Sequence, residues 1–354
     1  MKKTILLVGV ILMTVLLAGC IKFGGGDSKG PLGIHKSTNA SANWEAINKV
    51  LNIESKLVTL DDIGINSIAI DPSNNEVIYL ATTKGLYYTL DAGTSWQRVK
   101  IDQYEDREVL DVAVSHFDKC SVFVALGQYI YKTDDCLRTW RNVHYDSRSK
   151  LEITAIETES YSREIVYAGN NQGDVLRSSD YGDTWQTIKR LDSPVVQILI
   201  DKRDTRNIYV ATQKEGLFKT SDKGLTWSDD NNDTDINRKI REFRDSKRIR
   251  AMVQDVTRDN TIIFASDYGL LKTSDGGANW EEIILITPAR EANIYSLAID
   301  PKDGNVIYYG TDSTLYKSVD GGNNWSTQKS PTRGTINFLL IDSENSDTIY
   351  LGAK

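Results

Sequence analysis

The ten residues Tyr316–Trp325, YKSVDGGNNW, set a lone Asp before two glycines and place a Trp five residues after that Asp. Alone, they suit a reactive site: a carboxylate beside a flexible loop and an aromatic ring. Their copies change that reading. YTLDAGTSW ends at Trp96, YKTDDCLRTW at Trp140, RSSDYGDTW at Trp185, KTSDKGLTW at Trp227 and KTSDGGANW at Trp280. The chain holds seven Trp, and six stand in these segments. The seventh, Trp44, ends GIHKSTNASANW, which aligns with TLYKSVDGGNNW, with Asn39 for the Asp and Ala40-Ser41 for the glycines. Every Trp therefore occupies one repeat position.

Each copy closes a longer unit, as in INSIAIDPSNNEVIYLATTKGLYYTLDAGTSWQRV, 65–99, and IYSLAIDPKDGNVIYYGTDSTLYKSVDGGNNWSTQ, 294–328. The β-branched, alternating runs split by Asp-Pro, Asn and Gly turns spell four short strands, A to D. The Trp-to-Trp spacings run from 42 to 53 residues. Four strands at that period predict a β-propeller. The chain closes with INFLLIDSENSDTIYLGAK, strands A and B alone, and opens past its leader with GIHKSTNASANWEAI, strands C and D alone. The two pieces complete one blade and remove the open sheet edges. The expectation is an all-β, seven-bladed propeller of four-stranded antiparallel blades, with the last blade closed by both termini.

The repeated turn, Ser/Thr-x-Asp-x-Gly-x-x-Trp, resembles the Asp-box or BNR repeat of sialidases, sortilin-type receptors and many secreted propellers. It links strands C and D. A tight turn leaves N–H groups for the Asp carboxylate, Gly supplies a positive φ, and Trp packs on the neighbouring sheet. Seven equal catalytic sites on one ring are implausible. Asp91, Asp135, Asp180, Asp222, Asp275 and Asp320 are therefore read as turn clamps, with Trp44, Trp96, Trp140, Trp185, Trp227, Trp280 and Trp325 as packing anchors. In blade two Leu137 replaces the usual Gly, Cys136 precedes it and Cys120 opens strand B. The start of B lies beside the end of C, so a Cys120–Cys136 disulfide fits and could brace the altered turn, against the alternative of two free thiols.

The chain has 354 residues, 26% of them charged, and a net charge of −7. Its first residues, MKKTILLVGVILMTVLLAGC, have Lys2 and Lys3, a short apolar run and small residues, the layout of a secretory signal. Leu17-Ala18-Gly19-Cys20 resembles the lipobox of prokaryotic lipoproteins. That resemblance implies cleavage after residue 19, lipidation of Cys20 and an exported chain held on a membrane, periplasmic or at the cell surface. The alternative is an ordinary signal with a chance Cys. Residues 20–32 read as a flexible tether and 33–354 as the propeller. Losing Lys2 and Lys3 takes the charge from −7 to −9, which disfavours nucleic acid as a partner.

Loops on a rigid scaffold carry function more often than the scaffold does. The D–A connections, which lead to the central channel, are therefore the candidates. A glycosidase needs two carboxyl groups. Asp111 is the only acid in the upper part of a strand A, and Asp61, Asp62, Glu105, Asp106 and Glu108 lie in nearby connections, where solvated loop charges are the plainer reading. Arg248-Ile249-Arg250 is similar to the Arg-Ile-Pro of sialidases, but Arg250 stands where Pro should be and the segment precedes blade five. No metal site, phosphate loop or Ser-His-Asp set is visible, and no cofactor is expected.

Arginines, by contrast, stand at six of seven connections: Arg107, Arg148, Arg190, Arg248 with Arg250, Arg290 and Arg333. The longest connection adds Arg238, Arg241 and Arg244. Its 236–250 part sets seven basic residues against two acidic ones, and could form a short basic amphipathic helix over the channel mouth. Such a face would attract an acidic protein segment, a polysaccharide being the alternative, unless the loop only neutralises itself. Single exported Asp-box propellers without a sialidase site resemble the photosystem II stability/assembly factor-like family, which implies a scaffold that holds a partner chain. Xyloglucan-cleaving glycosidases also use such propellers, in pairs. Sortilin-type receptors use a larger ring with a cysteine-rich companion.

Overall fold

A computed structural model describes residues 30–51, 58–101, 104, 106–228 and 235–354. The signal segment, Cys20, most of the tether and Glu105 lie outside the described residues. Gly30, Pro31 and Leu32 pack on the ring: their carbonyl or N–H groups pair with Arg333, Thr332 and Asp61.

Burial explains the strand sequences. A typical strand B, such as Val122–Leu126, Ile208–Thr212 or Ile349–Ala353, is buried along its whole length between neighbouring sheets. It therefore reads as an unbroken apolar run. Outer strands such as Gln186–Arg190 expose most of their side chains and read as polar. The strands form seven antiparallel sheets, six in the order A-B-C-D and one of three strands among the described residues, plus a two-stranded ribbon. Strand A of each sheet lies beside strand A of the next, and the last, Ile336–Ile341, lies beside the first, Ile65–Asp71. That contact closes the ring around a central channel. The seventh sheet runs Glu45–Ala46, Gly33–Ser37, Ile349–Ala353, Ile336–Ile341. Gly33 pairs with Ala353 and Ser37 with Ile349, so the termini join in one blade.

The repeated turn is a hydrogen-bond clamp. In the last copy Asp320 Oδ1 accepts from the Ser318 hydroxyl at 2.8 Å and the Asn324 N–H at 2.8 Å, while Oδ2 accepts from the Asn324 side chain at 2.7 Å. Ser318 Oγ in turn accepts the Gly322 N–H at 2.9 Å. The residue before Trp is thus the second partner of the carboxylate, as with Ser95, Thr139, Thr184, Thr226 and Asn279. The altered copies keep these bonds. Asn39 Oδ1 accepts the Asn43 N–H at 2.8 Å, and Ser37 Oγ the Ser41 N–H at 3.0 Å. In blade two Cys136 and Leu137 hold positive φ of 55° and 68°, and Cys136 is bonded to Cys120 with their Cα atoms 4.0 Å apart.

The turn also receives the neighbouring blade. A Cβ at Gly322 would lie 2.5 Å from Ile283, and one at Gly93 2.4 Å from Ile47. These isoleucines stand three residues after Trp280 and Trp44. Where the turn carries Leu137 in place of glycine, the preceding blade supplies the smaller Val99 in the same core. Carbonyls of the turn are capped from the blade before: Lys219 and Tyr209 donate to Gly276, and Lys317 and Tyr308 to Ala40.

Blade four differs. Among the described residues it has three strands, and a short helix, Asp235–Ile240, stands beside its strand C. The helix does not cover the channel mouth, as the charge pattern suggested; it takes the place of strand D. Ile236 meets Gly277 as Ile47 meets Gly93. Asn237 Oδ1 accepts the Leu217 N–H at 3.0 Å, as Asn48 Oδ1 accepts that of Ile34 at 2.8 Å. Burial of Ile236 and Ile240 outweighs the attraction of the basic face for the channel.

Inside the ring, strand A side chains reach the next blade at every junction. Asn66 Nδ2 donates to the Val109 carbonyl, Asp111 accepts from Ile156 N–H, Thr154 donates to Val195, and Gln197 exchanges two bonds with Met252. The Arg250 guanidinium lies 5.0 Å over the Tyr295 ring, Ser296 donates to Ile336, and Asn337 to Ile65.

These bonds predict a two-sided pH dependence. Bonds from Thr139, Thr184 and Thr226 hold Asp135, Asp180 and Asp222 down to about 2. A carboxyl held below its unfolded value of about 4 adds stability that is full above that pH and is lost as pH falls toward 2. Burial instead pushes Glu157, in strand A of blade three, up to about 7, and Asp111 up to about 6. Their contribution is full below pH ~4 and is lost as pH rises through these values. The melting temperature should fall steeply from pH 4 to 2 and more gently from 4 to 7. In Glu157→Gln the gentle decline should flatten; an unchanged slope would remove Glu157 as its source.

Candidate binding face

Positive charge reaches the D–A face from short connections whose last residues lead into strand A. Most of it is neutralised on the spot. Arg148 pairs with Asp146 and with the buried Asp174, which also meets Arg190 at 3.3 Å. Asp267 accepts from Arg248 at 3.2 Å and from Arg250 at 2.8 Å. Asp245 serves Arg290 at 2.8 Å and Arg244 at 3.7 Å, and Asp62 serves Arg333. Arg238 is also engaged. Arg107 and Arg241 are exposed and have no carboxylate partner among the described residues. Arg238, Arg241 and Arg244 lie in and after the helix beside strand C of blade four, outward of the strand A residue Arg250. The structure thus divides the ten arginines between the rim and the channel mouth.

Several acidic residues of the same face are likewise committed, while Glu152, Asp192 and Glu291 stand exposed in its connections. Asp61 accepts from Asn48 at 2.8 Å, Asp106 pairs with Arg98, and Glu108 accepts from Asn66 at 3.0 Å and from Lys354 at 3.1 Å. Asp111 accepts the N–H groups of Ile156 and Val112 and ties two blades. Among the described residues no three His, Cys, Asp or Glu side chains converge as metal ligands. Burial lowers the His35 imidazole to about 4, so it is neutral in the core.

Sequence reasoning missed a cluster of tyrosines on this face. Tyr129 opens strand C of blade two, and Tyr145 ends its strand D. Their rings stack 4.8 Å apart. Tyr104, from the connection before strand A, sits 5.8 Å from Tyr129, under the Arg107 guanidinium at 5.2 Å. Tyr at both ends of the C–D pair was the available signal.

Residues 92–260 match the family model described as photosynthesis system II assembly factor YCF48. The solved structure described as YCF48 bound to D1 peptide superposes with a TM-score of 0.59 at 14% identity, covering 82% of this chain and 93% of that one. The chain is a YCF48-like propeller of Asp-box (BNR) repeats. This YCF48-like chain is also similar to glycosidase propellers. It is 25% identical over 209 residues to xyloglucanase Xgh74A of Acetivibrio thermocellus, covering 45% of this chain and 25% of that enzyme. The Niastella koreensis GH74 enzyme superposes with a TM-score of 0.64 at 15% identity, covering 82% of this chain and 51% of that one. The YCF48-like chain thus spans about a quarter of the length of the curated relative and half that of the solved enzyme. At such identities the superpositions speak for the fold alone.

Proposed function

We propose that this YCF48-like chain is a non-catalytic scaffold, exported and held on a membrane through a lipid on Cys20, that grips a protein partner with its D–A face. The D–A face itself carries this reading. Arginines stand at six of its seven connections, and the candidate carboxylates Asp61, Asp62, Asp106, Glu108 and Asp111 are tied up in bonds. The peptide bound by the YCF48 neighbour supports the same use of the ring.

Crosslinking followed by co-purification tests it. Wild type should recover an acidic protein, and Arg244→Glu with Arg248→Glu should recover at least ten-fold less, roughly the effect of reversing two rim charges. These side chains are 78% and 61% exposed, so the variant should melt like the wild type. Equal recovery would remove this face as the site. Polysaccharide binding is the second reading, favoured by the xyloglucanase relatives. Turnover of xyloglucan that fails in Asp61→Asn or Glu105→Gln would replace the scaffold reading with it.

A further inference from the structure

We propose that Tyr104, Tyr129 and Tyr145, with Arg107, form a docking subsite on the D–A face of blade two for a carboxylate-bearing peptide segment. This deepens the scaffold reading and rests on it.

The cluster is built from three separate stretches. Tyr129 lies beside the B–C turn, Tyr145 at the end of strand D, and Tyr104 in the connection before strand A. Tyr145 is 52% exposed, although the next blade buries aromatic residues such as Tyr167 completely. Arg107 lies across Tyr104 at 5.2 Å and against the B–C turn, where a Cβ at Gly127 would come 3.2 Å from its guanidinium. The arginine is therefore positioned, and among the described residues no carboxylate pairs with it. Its neighbours in sequence are spent elsewhere: Asp106 on Arg98 and Glu108 on Lys354. On a chain of net negative charge, this is a held cation that no carboxylate meets among the described residues.

Charge complementarity selects a carboxylate, and ring geometry selects a peptide over a sugar. A sugar platform offers open ring faces. Here Tyr129 and Tyr145 cover each other at an interplanar angle of 21°, and Arg107 covers Tyr104. Ring edges and the Tyr145 hydroxyl remain, and both are electropositive toward carboxylate and carbonyl oxygens. Tyr beside Arg, partly desolvated, is also the composition that dominates binding at protein interfaces.

The full chain in detergent, panned against displayed random dodecapeptides, provides the test. Enriched peptides should carry Asp or Glu. A synthetic copy of the most enriched one should bind at least ten-fold more weakly to Arg107→Gln and to Tyr145→Ala, about the loss of a hot-spot residue. A copy with Asn and Gln for its acids should be equally weak on wild type. Both substituted side chains are exposed, and unchanged melting temperatures confirm folding. Enriched peptides without acids, or binding indifferent to Arg107→Gln and Tyr145→Ala, would overturn the subsite, as would tighter binding of a galacturonate oligomer. Peptides that depend on Arg244 and Arg248 but not on Arg107 would overturn the subsite and leave the scaffold reading standing. No peptide enriched anywhere would overturn both.

Discussion

A chain that stops at Thr348 is expected to lose its cooperative melting transition. The six residues removed include Ile349, Tyr350, Leu351 and Ala353, all 0% exposed. They form strand B of the closing blade, bonded to Ile336–Ile341 on one side and Gly33–Ser37 on the other. Without them the N-terminal strands lose their sheet, and two edges open to solvent. Three large buried side chains at roughly 1.5–3 kcal/mol each amount to about 5–9 kcal/mol, comparable with the whole stability of a typical domain, about 5–15 kcal/mol. Circular dichroism and size exclusion should show a non-cooperative melt and aggregates. Removing Lys354 alone costs the exposed contacts with Asn66 and Glu108 and one backbone pair with Thr335, but no buried side chain, and serves as the control. A melt of the shorter chain within a few degrees of wild type would show that closure is not what holds the ring.

Trp96→Ala should lower the unfolding free energy by about 3–5 kcal/mol, the usual cost of deleting a large buried ring. Trp96 is 0% exposed, and its indole N–H donates to the Ile47 carbonyl at 2.6 Å. Its backbone exchanges bonds with Lys49 and Leu51 at 2.9 and 2.7 Å. It therefore fastens blade one to the strand that follows the closing blade. Trp185, by contrast, is half-buried and its N–H bonds within its own turn, to Gly182 at 3.0 Å. Trp185→Ala should cost clearly less in guanidinium denaturation. Equal costs would mean that the indoles act as local turn packing and not as bolts between blades.

The legible part of the molecule is the part that repeats. Seven turns with one spacing announced the blades, and Asn39 was recognisable as a damaged Asp because its neighbours Ser37 and Trp44 kept register. A short polar residue before Trp, Asn324 in the last copy, was also written in every copy, but its bond to Asp320 is a matter of reach that no pattern states. The helix at Asp235–Ile240 read as a basic segment for the channel mouth. Its charge was visible, while the vacancy beside strand C that Ile236 fills was not.

The arginines mark the limit most clearly. The sequence by itself determined that this chain builds a closed ring of seven blades, because strand period, turn chemistry and complementary ends are local properties repeated along it. Only the tertiary structure decided which charges remain available. Arg148 meets Asp174, Arg290 meets Asp245 and Arg333 meets Asp62, across 26, 45 and 271 positions of chain. Whether a charge is paired depends on distances between side chains brought together by ring closure, and Arg107 is distinguished from its neighbours by that geometry alone.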